Sequence, residues 1–177
     1  LKLNKNNIDI VESMKILGVI VTNKLDWYEN TALLVKKVNM RMQLLRAVQS
    51  FGSSREEMVH LWKIYCLSVL EQSCVVWGSS LTCEEKADLE RTQKSFAKLV
   101  LRDKYTTYES ALIELNLENL ETRRTKLMMK FAKAGIDSGN LKGMFRLRNT
   151  THNMEIRQPD KYRTTMAHTE RFRKSTL

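Results

Sequence analysis

Ser53-Ser54-Arg55-Glu56-Glu57-Met58-Val59-His60-Leu61-Trp62-Lys63-Ile64-Tyr65-Cys66-Leu67-Ser68-Val69-Leu70 is the stretch on which the fold turns. Ser53 or Ser54 with Glu56 and Glu57 starts a helix, because a serine hydroxyl satisfies a free first-turn amide and carboxylates complement the helix dipole. Behind that start, Met58, Leu61, Trp62, Ile64, Tyr65, Leu67, Val69 and Leu70 leave little polar face. This pattern predicts a central, buried helix, which needs other helices around it.

Those neighbours are legible on both sides. Upstream, Asp26 and Glu29 have capping-box spacing, and Trp27, Leu34, Val38, Met42, Leu45 and Val48 recur at helical intervals until Phe51-Gly52. Downstream, Thr82 with Glu85 makes a capping box for a helix whose apolar line is Leu89, Phe96, Leu99 and Val100. Lys104 to Thr107 reads as a loop, Tyr108 to about Leu115 as a short helix. A longer helix then carries Leu117, Leu120, Leu127 and Phe131, with Gly135 as its C-cap. Before all of these, Lys15 to Val21 is a β-branched run bounded by Thr22-Asn23-Lys24, read as one short buried strand with Ile8 to Val11 as candidate hairpin partner. From Asp137 onward Gly139, Gly143, Thr150-Thr151 and Pro159 break every period. The expected fold class is therefore mainly α: a short N-terminal β-hairpin (1–25), a bundle of about five helices (26–136) and an irregular basic C-terminal arm (137–177).

Thirty Lys plus Arg against 20 Asp plus Glu give a net charge of +10, which favours polyanion binding through counterion release and says nothing of sequence specificity. From Leu141 on, nine basic residues face three acidic ones, so the excess is greatest in the arm. The apolar run Ile16 to Val21 is too short to span a bilayer and no signal peptide opens the chain, so the expected setting is intracellular, cytoplasm and nucleus, with no membrane partner. Cys66, Cys74 and Cys83 are odd in number and widely spaced, the pattern of reduced thiols. They make no zinc set with His60, His152 and His168, so no metal or other cofactor is expected in this chain. The chain opens at Leu1 without an initiator Met and is read as a fragment.

No Gly-rich phosphate loop, nucleophile elbow or paired catalytic aspartates occur in the sequence. Glu56-Glu57 and Glu84-Glu85 are adjacent carboxylates that first helical turns explain. What remains is basic periodicity. Arg91, Lys94, Lys98 and Arg102 stand at i, i+3, i+7 and i+11, a stripe about 80° wide opposite much of the apolar line. Arg123, Lys126, Lys130 and Lys133 repeat the arrangement on the last helix, with Arg124 adjoining it. Such stripes track phosphates without reading bases, and they also occur as plain solvated faces. Lys36, Lys37, Arg41 and Arg46 are scattered more widely. Trp27, Trp62, Trp77, Tyr65 and Phe96 fall on apolar faces and read as core rather than as base-stacking platforms.

Lys15-Ile16-Leu17-Gly18-Val19-Ile20-Val21 with Lys24-Leu25-Asp26-Trp27 resembles the stretch that closes the palm of reverse transcriptases from non-LTR retrotransposons of the jockey and CR1-like groups. The resemblance continues through Tyr65 to Glu71, Val76-Trp77, Leu89 to Lys94, Ala111 to Arg124 and His168 to Ser175, in that order, and so covers nearly the whole chain. It implies that the hairpin at Lys15, Leu17 and Gly18 is similar to a primer grip. The helices that follow resemble the thumb and post-thumb region, with Arg91, Lys94, Lys98, Arg102, Arg123, Arg124, Lys126 and Lys130 toward RNA or an RNA/DNA hybrid. The remainder of the polymerase, palm and fingers, would be the protein partner and would hold the divalent metal, since the family's aromatic-x-Asp-Asp motif is not in these residues. The chain alone is then expected to be inactive. The alternatives are a helical protein-interaction module or a decayed element copy.

Overall fold

The run from Lys15 to Val21 folds as a hairpin and not as one strand. In the computed structural model of this protein, which describes residues 9–139 and the backbone of the strand pair Lys2–Leu3 (β1) and Asn6–Asn7 (β2), Ser13–Ile16 (β3) pairs antiparallel with Val19–Thr22 (β4). Leu17 (φ 48) and Gly18 (φ 92) make the two-residue turn, in which positive φ at both positions matches the strand twist. A Cβ at Gly18 would sit 2.8 Å from Gln72 Nε2, so the close approach also requires glycine. The reading of Ile8 to Val11 as the partner strand is thus corrected: Asp9 to Val11 form no strand, and Ile8 lies outside the described residues. Val19 is buried, β3 is exposed throughout, and Asn30 Oδ1 accepts from Ile20 N at 3.2 Å, fixing the free edge of β4 to the next helix.

That helix, α1 (Tyr28–Ser50), starts at Trp27 with no side-chain cap. Asp26 is instead held in a turn, its N–H donating to Thr22 Oγ1 at 3.1 Å, so the expected Asp26 capping box is replaced by a turn from the strand end. Leu34, Val38, Met42 and Leu45 face the core, and the helix ends at Phe51-Gly52 as its pattern predicts. Ser54 then caps α2 (Arg55–Leu61) in a reciprocal box with Glu57.

The helical path continues without a break from α2 through a π-helical turn, Trp62–Leu67, into α3 (Ser68–Leu70). At 3.6 residues per turn Leu67 would stand about 180° from Met58, on the opposite face. The wider π turn rotates less per residue and brings Met58, Trp62, Cys66, Leu67 and Leu70 all to the core. In exchange Ile64 and Tyr65 are turned outward, 54% and 45% exposed, which corrects the expectation of a helix buried all round. Arg41 of α1 packs on the turn, donating to Tyr65 O and lying 5.4 Å from the centre of its ring.

Ser73 (φ 53) turns the chain into α4 (Cys74–Trp77) and a 3-10 turn, Gly78–Ser80, elements with no sequence signal of their own. Thr82 and Glu85 form the expected box for α5 (Cys83–Leu101), Thr107 caps α6 (Tyr108–Glu114), and Asn119 caps α7 (Leu120–Asp137). The last helix runs through Gly135 and reaches its positive-φ glycine at Gly139. The expected arm falls, from residue 140 on, outside the described residues.

The core joins α1, the Arg55–Leu70 helix, α4, α5 and α7, with Trp62 stacked on Phe96 at 4.5 Å between ring centres. Trp27, Trp62, Trp77 and Phe96 are buried, as the apolar faces predict. Cys66 and Cys74 are buried free thiols and Cys83 is exposed; burial pushes the Cys66 thiol up to about 11, so it stays protonated at neutral pH.

Candidate nucleic-acid interface

The buried side chains of α5 occupy about half of its circumference, which leaves Arg91, Lys94 and Lys98 exposed along its outer face over roughly 11 Å, while Arg102, expected in the same stripe, stands exposed just past the helix end at φ 48. How each charge is held differs, and that decides what it can do. Arg91 Nη1 is 2.6 Å from Asp88 Oδ1, yet its side chain remains 71% exposed, so the pair is screened and weak. Lys94 Nζ lies 5.0 Å from the centre of the Tyr108 ring and Lys98 Nζ 5.4 Å from that of Tyr105. A ring face orients an ammonium, worth about 0.5–1 kcal/mol at exposed sites, without cancelling its charge as a carboxylate would. Lys94 and Lys98 are therefore positioned and still fully positive.

The tyrosines are themselves fixed from below. Tyr108 OH donates to Glu90, whose carboxylate also accepts from Leu120 N at 3.0 Å, and Gln93 Nε2 donates to Tyr108 OH at 3.0 Å and to Glu118 O at 2.8 Å. Burial and then the Glu90 carboxylate push the Tyr108 hydroxyl far above its ordinary pKa, so it is a permanent donor. This network, α5 to α6 to α7, is the framework of the face and was not singled out from the sequence; the buried Gln93, on the same side as Leu89 and Phe96, was its one visible signal. Glu90→Ala leaves the Leu120 amide and the Tyr108 hydroxyl without their acceptor and is expected to destabilise the fold by about 2–3 kcal/mol. Denaturant unfolding checks this, and a loss under 0.5 kcal/mol would show that the network carries no strain-free hydrogen bonding of value.

The stripe on α7 is built differently. Arg123 makes two hydrogen bonds to Glu71, 2.5 Å from Nε and 3.2 Å from Nη2, and that bond holds its guanidinium pKa above the ordinary value. Lys126 Nζ is 2.5 Å from Glu118 Oε1, which holds that carboxyl below the usual range. Arg124 is only 2% exposed, its chain lying 3.5 Å from where Gly78 would carry a Cβ, and burial depresses its pKa. It is therefore corrected from a surface phosphate contact to an interior residue: i±4 spacing puts it in line with buried Leu120 and Met128. Lys130 and Lys133 are exposed, and no ion pair to either is found among the described residues.

Lys15 is exposed on β3 and Leu17, at the hairpin tip, is 92% exposed. They stand toward the Arg91 end of the α5 cluster, since Arg91 shares a groove with Tyr28 and Thr31 at the start of α1, and away from its Arg102 end. The hairpin is tied to Asn30 at the start of α1, whereas Gln49 near its end donates to Leu99 O at 2.7 Å, so hairpin and Arg102 stand at opposite ends of α1, roughly 30 Å apart. No protein-family model, curated protein or solved structure matches this chain. Among the described residues no helix is long and apolar enough to cross a membrane, and no three His, Cys, Asp or Glu side chains gather to hold a metal ion.

Proposed function

We propose that this chain binds the template-primer, an RNA/DNA hybrid, as the thumb-side fragment of an RNA-directed DNA polymerase of a non-LTR retrotransposon, working inside the cell in cytoplasm and nucleus. The ordered sequence resemblance supplies the family. The observation that carries the binding mode is the pair Lys94 and Lys98, oriented on Tyr108 and Tyr105 with their charges uncancelled. Arg91 extends the same line and Arg102 stands just past its end, and an A-form or hybrid duplex offers a phosphate row for them to follow. The hairpin of Lys15, Leu17 and Gly18 contacts the primer side, and the divalent metal of the reaction is held by the palm, outside this chain. Nucleotide addition is not performed by these residues alone.

Four phosphate contacts release counterions in proportion, so log K for an RNA/DNA hybrid should fall with log salt at a slope of about −3.6, roughly a hundredfold between 50 and 200 mM. Fluorescence anisotropy over a salt series measures it. A slope near zero sinks the proposal and favours the second reading, a protein-docking module. One observation speaks for that second reading: a groove of about 540 Å³ between α1 and α5, in which Tyr28, Ala32, Val35 and Met40 stand among polar and charged side chains that include Glu85, Asp88 and Arg91.

A further inference from the structure

Arg102 closes α5 with φ 48 and ψ −121, a conformation that residues other than glycine seldom adopt. Its surroundings hold it there. The Arg102 amide donates to Lys98 O, Tyr105 N donates to its carbonyl at 3.1 Å, and the Gln49–Leu99 bond ties this turn to the end of α1. Nothing in that framework uses the arginine side chain, which is exposed and makes no hydrogen bond or ion pair among the described residues. Glycine would make the same turn without strain. Strained residues kept at a turn are a mark of ligand clamps, and the chemistry here is cationic.

The side chain stands at a cleft of about 480 Å³ between the α1–α2 turn and the turn after α5, lined among others by Gly52, Ser53, Arg55, Asp103 and Lys104. Three cations share it with one carboxylate, Asp103; Arg55 is partly engaged, Nη1 lying 2.6 Å from Glu114 Oε1. A Cβ at Gly52 would meet nothing within 4 Å, so the mouth on that side is open. The α5 stripe, Arg91, Lys94 and Lys98, leads directly to it.

We propose that this cleft seats a phosphate group of the bound strand, gripped by the Arg102 guanidinium with Lys104 and Arg55 alongside. The assignment rests on the nucleic-acid reading above. A guanidinium presents a planar fork that matches two phosphate oxygens, which a lysine in the same place does not. The strained backbone then serves to aim that fork out of the helix line and across the cleft. The phosphate is either an internal diester or a terminal monoester, and the two are separable.

The test uses the full chain, a labelled RNA/DNA hybrid with either a 5′-hydroxyl or a 5′-phosphate, and the variants Arg102→Gly and Arg102→Ala. Arg102→Gly should unfold at a higher temperature than the parent, because the strain is gone, yet bind roughly eightfold more weakly at 0.1 M salt, with the salt slope reduced by about 0.9. Arg102→Ala should show the same weakening without the thermal gain. Equal losses on both hybrids identify an internal phosphate; a 5′-phosphate that tightens the parent chain but not Arg102→Gly identifies a terminal one. Parent-like affinity and slope for Arg102→Gly on both hybrids overturn the cleft while leaving the α5 stripe standing. Absence of salt-dependent binding by the parent chain overturns the nucleic-acid reading itself, and the cleft with it.

Discussion

Reversing Arg91, Lys94 and Lys98 together to glutamate should lower affinity for an RNA/DNA hybrid at least five-hundredfold at 0.1 M salt. The lower bound comes from neutralisation alone: three contacts at about 0.9 each remove roughly 2.7 from the salt slope, and three new negative charges add repulsion. All three side chains are exposed, and the single ion pair among them, Arg91 with Asp88, is of the i,i+3 kind worth about 0.2–0.5 kcal/mol. With the two ring contacts of Lys94 and Lys98, about 0.5–1 kcal/mol each, the unfolding temperature should fall by several degrees while far-UV circular dichroism at 25 °C stays that of the parent, which separates loss of binding from loss of fold. Within the same experiment Lys126→Ala is a useful contrast. Its ammonium is already paired with Glu118, so releasing it to a phosphate requires breaking that pair, and its removal should matter less than removal of Lys98, which rests on a neutral ring. Unchanged binding by the triple variant would leave the charge of α5 a solvated face and nothing more.

What was legible in the chain beforehand divides along a physical line. Ser54 with Glu57 and Thr82 with Glu85 are local devices, each complete within four residues, and both form as their spacing predicts. Asp26 and Glu29 have the same spacing, but the hydroxyl of Thr22 in the preceding strand captures the Asp26 amide first. The N-terminal hairpin forms as expected, but its turn is hidden from the residue pattern, which reads Lys15 to Val21 as one strand because Leu17 is not a residue that favours positive φ. The π turn leaves no mark in a 3.6-residue pattern except that Ile64 and Tyr65 look as apolar as their neighbours. On the basic faces, periodicity shows which residues share a side and cannot say which are neutralised. Glu71 lies 52 positions from Arg123, and only the fold brings them together. Arg124 differs, since its register with Leu120 and Met128 is visible in the sequence and places it inside despite its charge.

Trp62→Ala should destabilise the protein by about 3–5 kcal/mol, the range for removing a fully buried large aromatic side chain. Trp62 is completely buried at the start of the π turn and lies parallel to Phe96, 4.5 Å between centres and 12° between planes, so truncation opens a cavity where the Arg55–Leu70 helix meets α5. Trp62→Phe should cost much less. Its indole Nε1 has no hydrogen-bond partner among the described residues, so phenylalanine gives up area but removes an unsatisfied donor while keeping a ring against Phe96. Phe96 is on the core side of α5 and Lys94 and Lys98 are on the other, so collapse around the alanine cavity tilts the helix that carries the basic face. The alanine variant is therefore expected to weaken hybrid binding at temperatures well below its unfolding midpoint, and the phenylalanine variant to bind as the parent does. Denaturant unfolding and anisotropy on the two variants together decide this. A Trp62→Ala protein that loses stability yet binds normally would mean that the face is set by the Glu90, Gln93 and Tyr108 network alone, independently of the stacked pair beneath it.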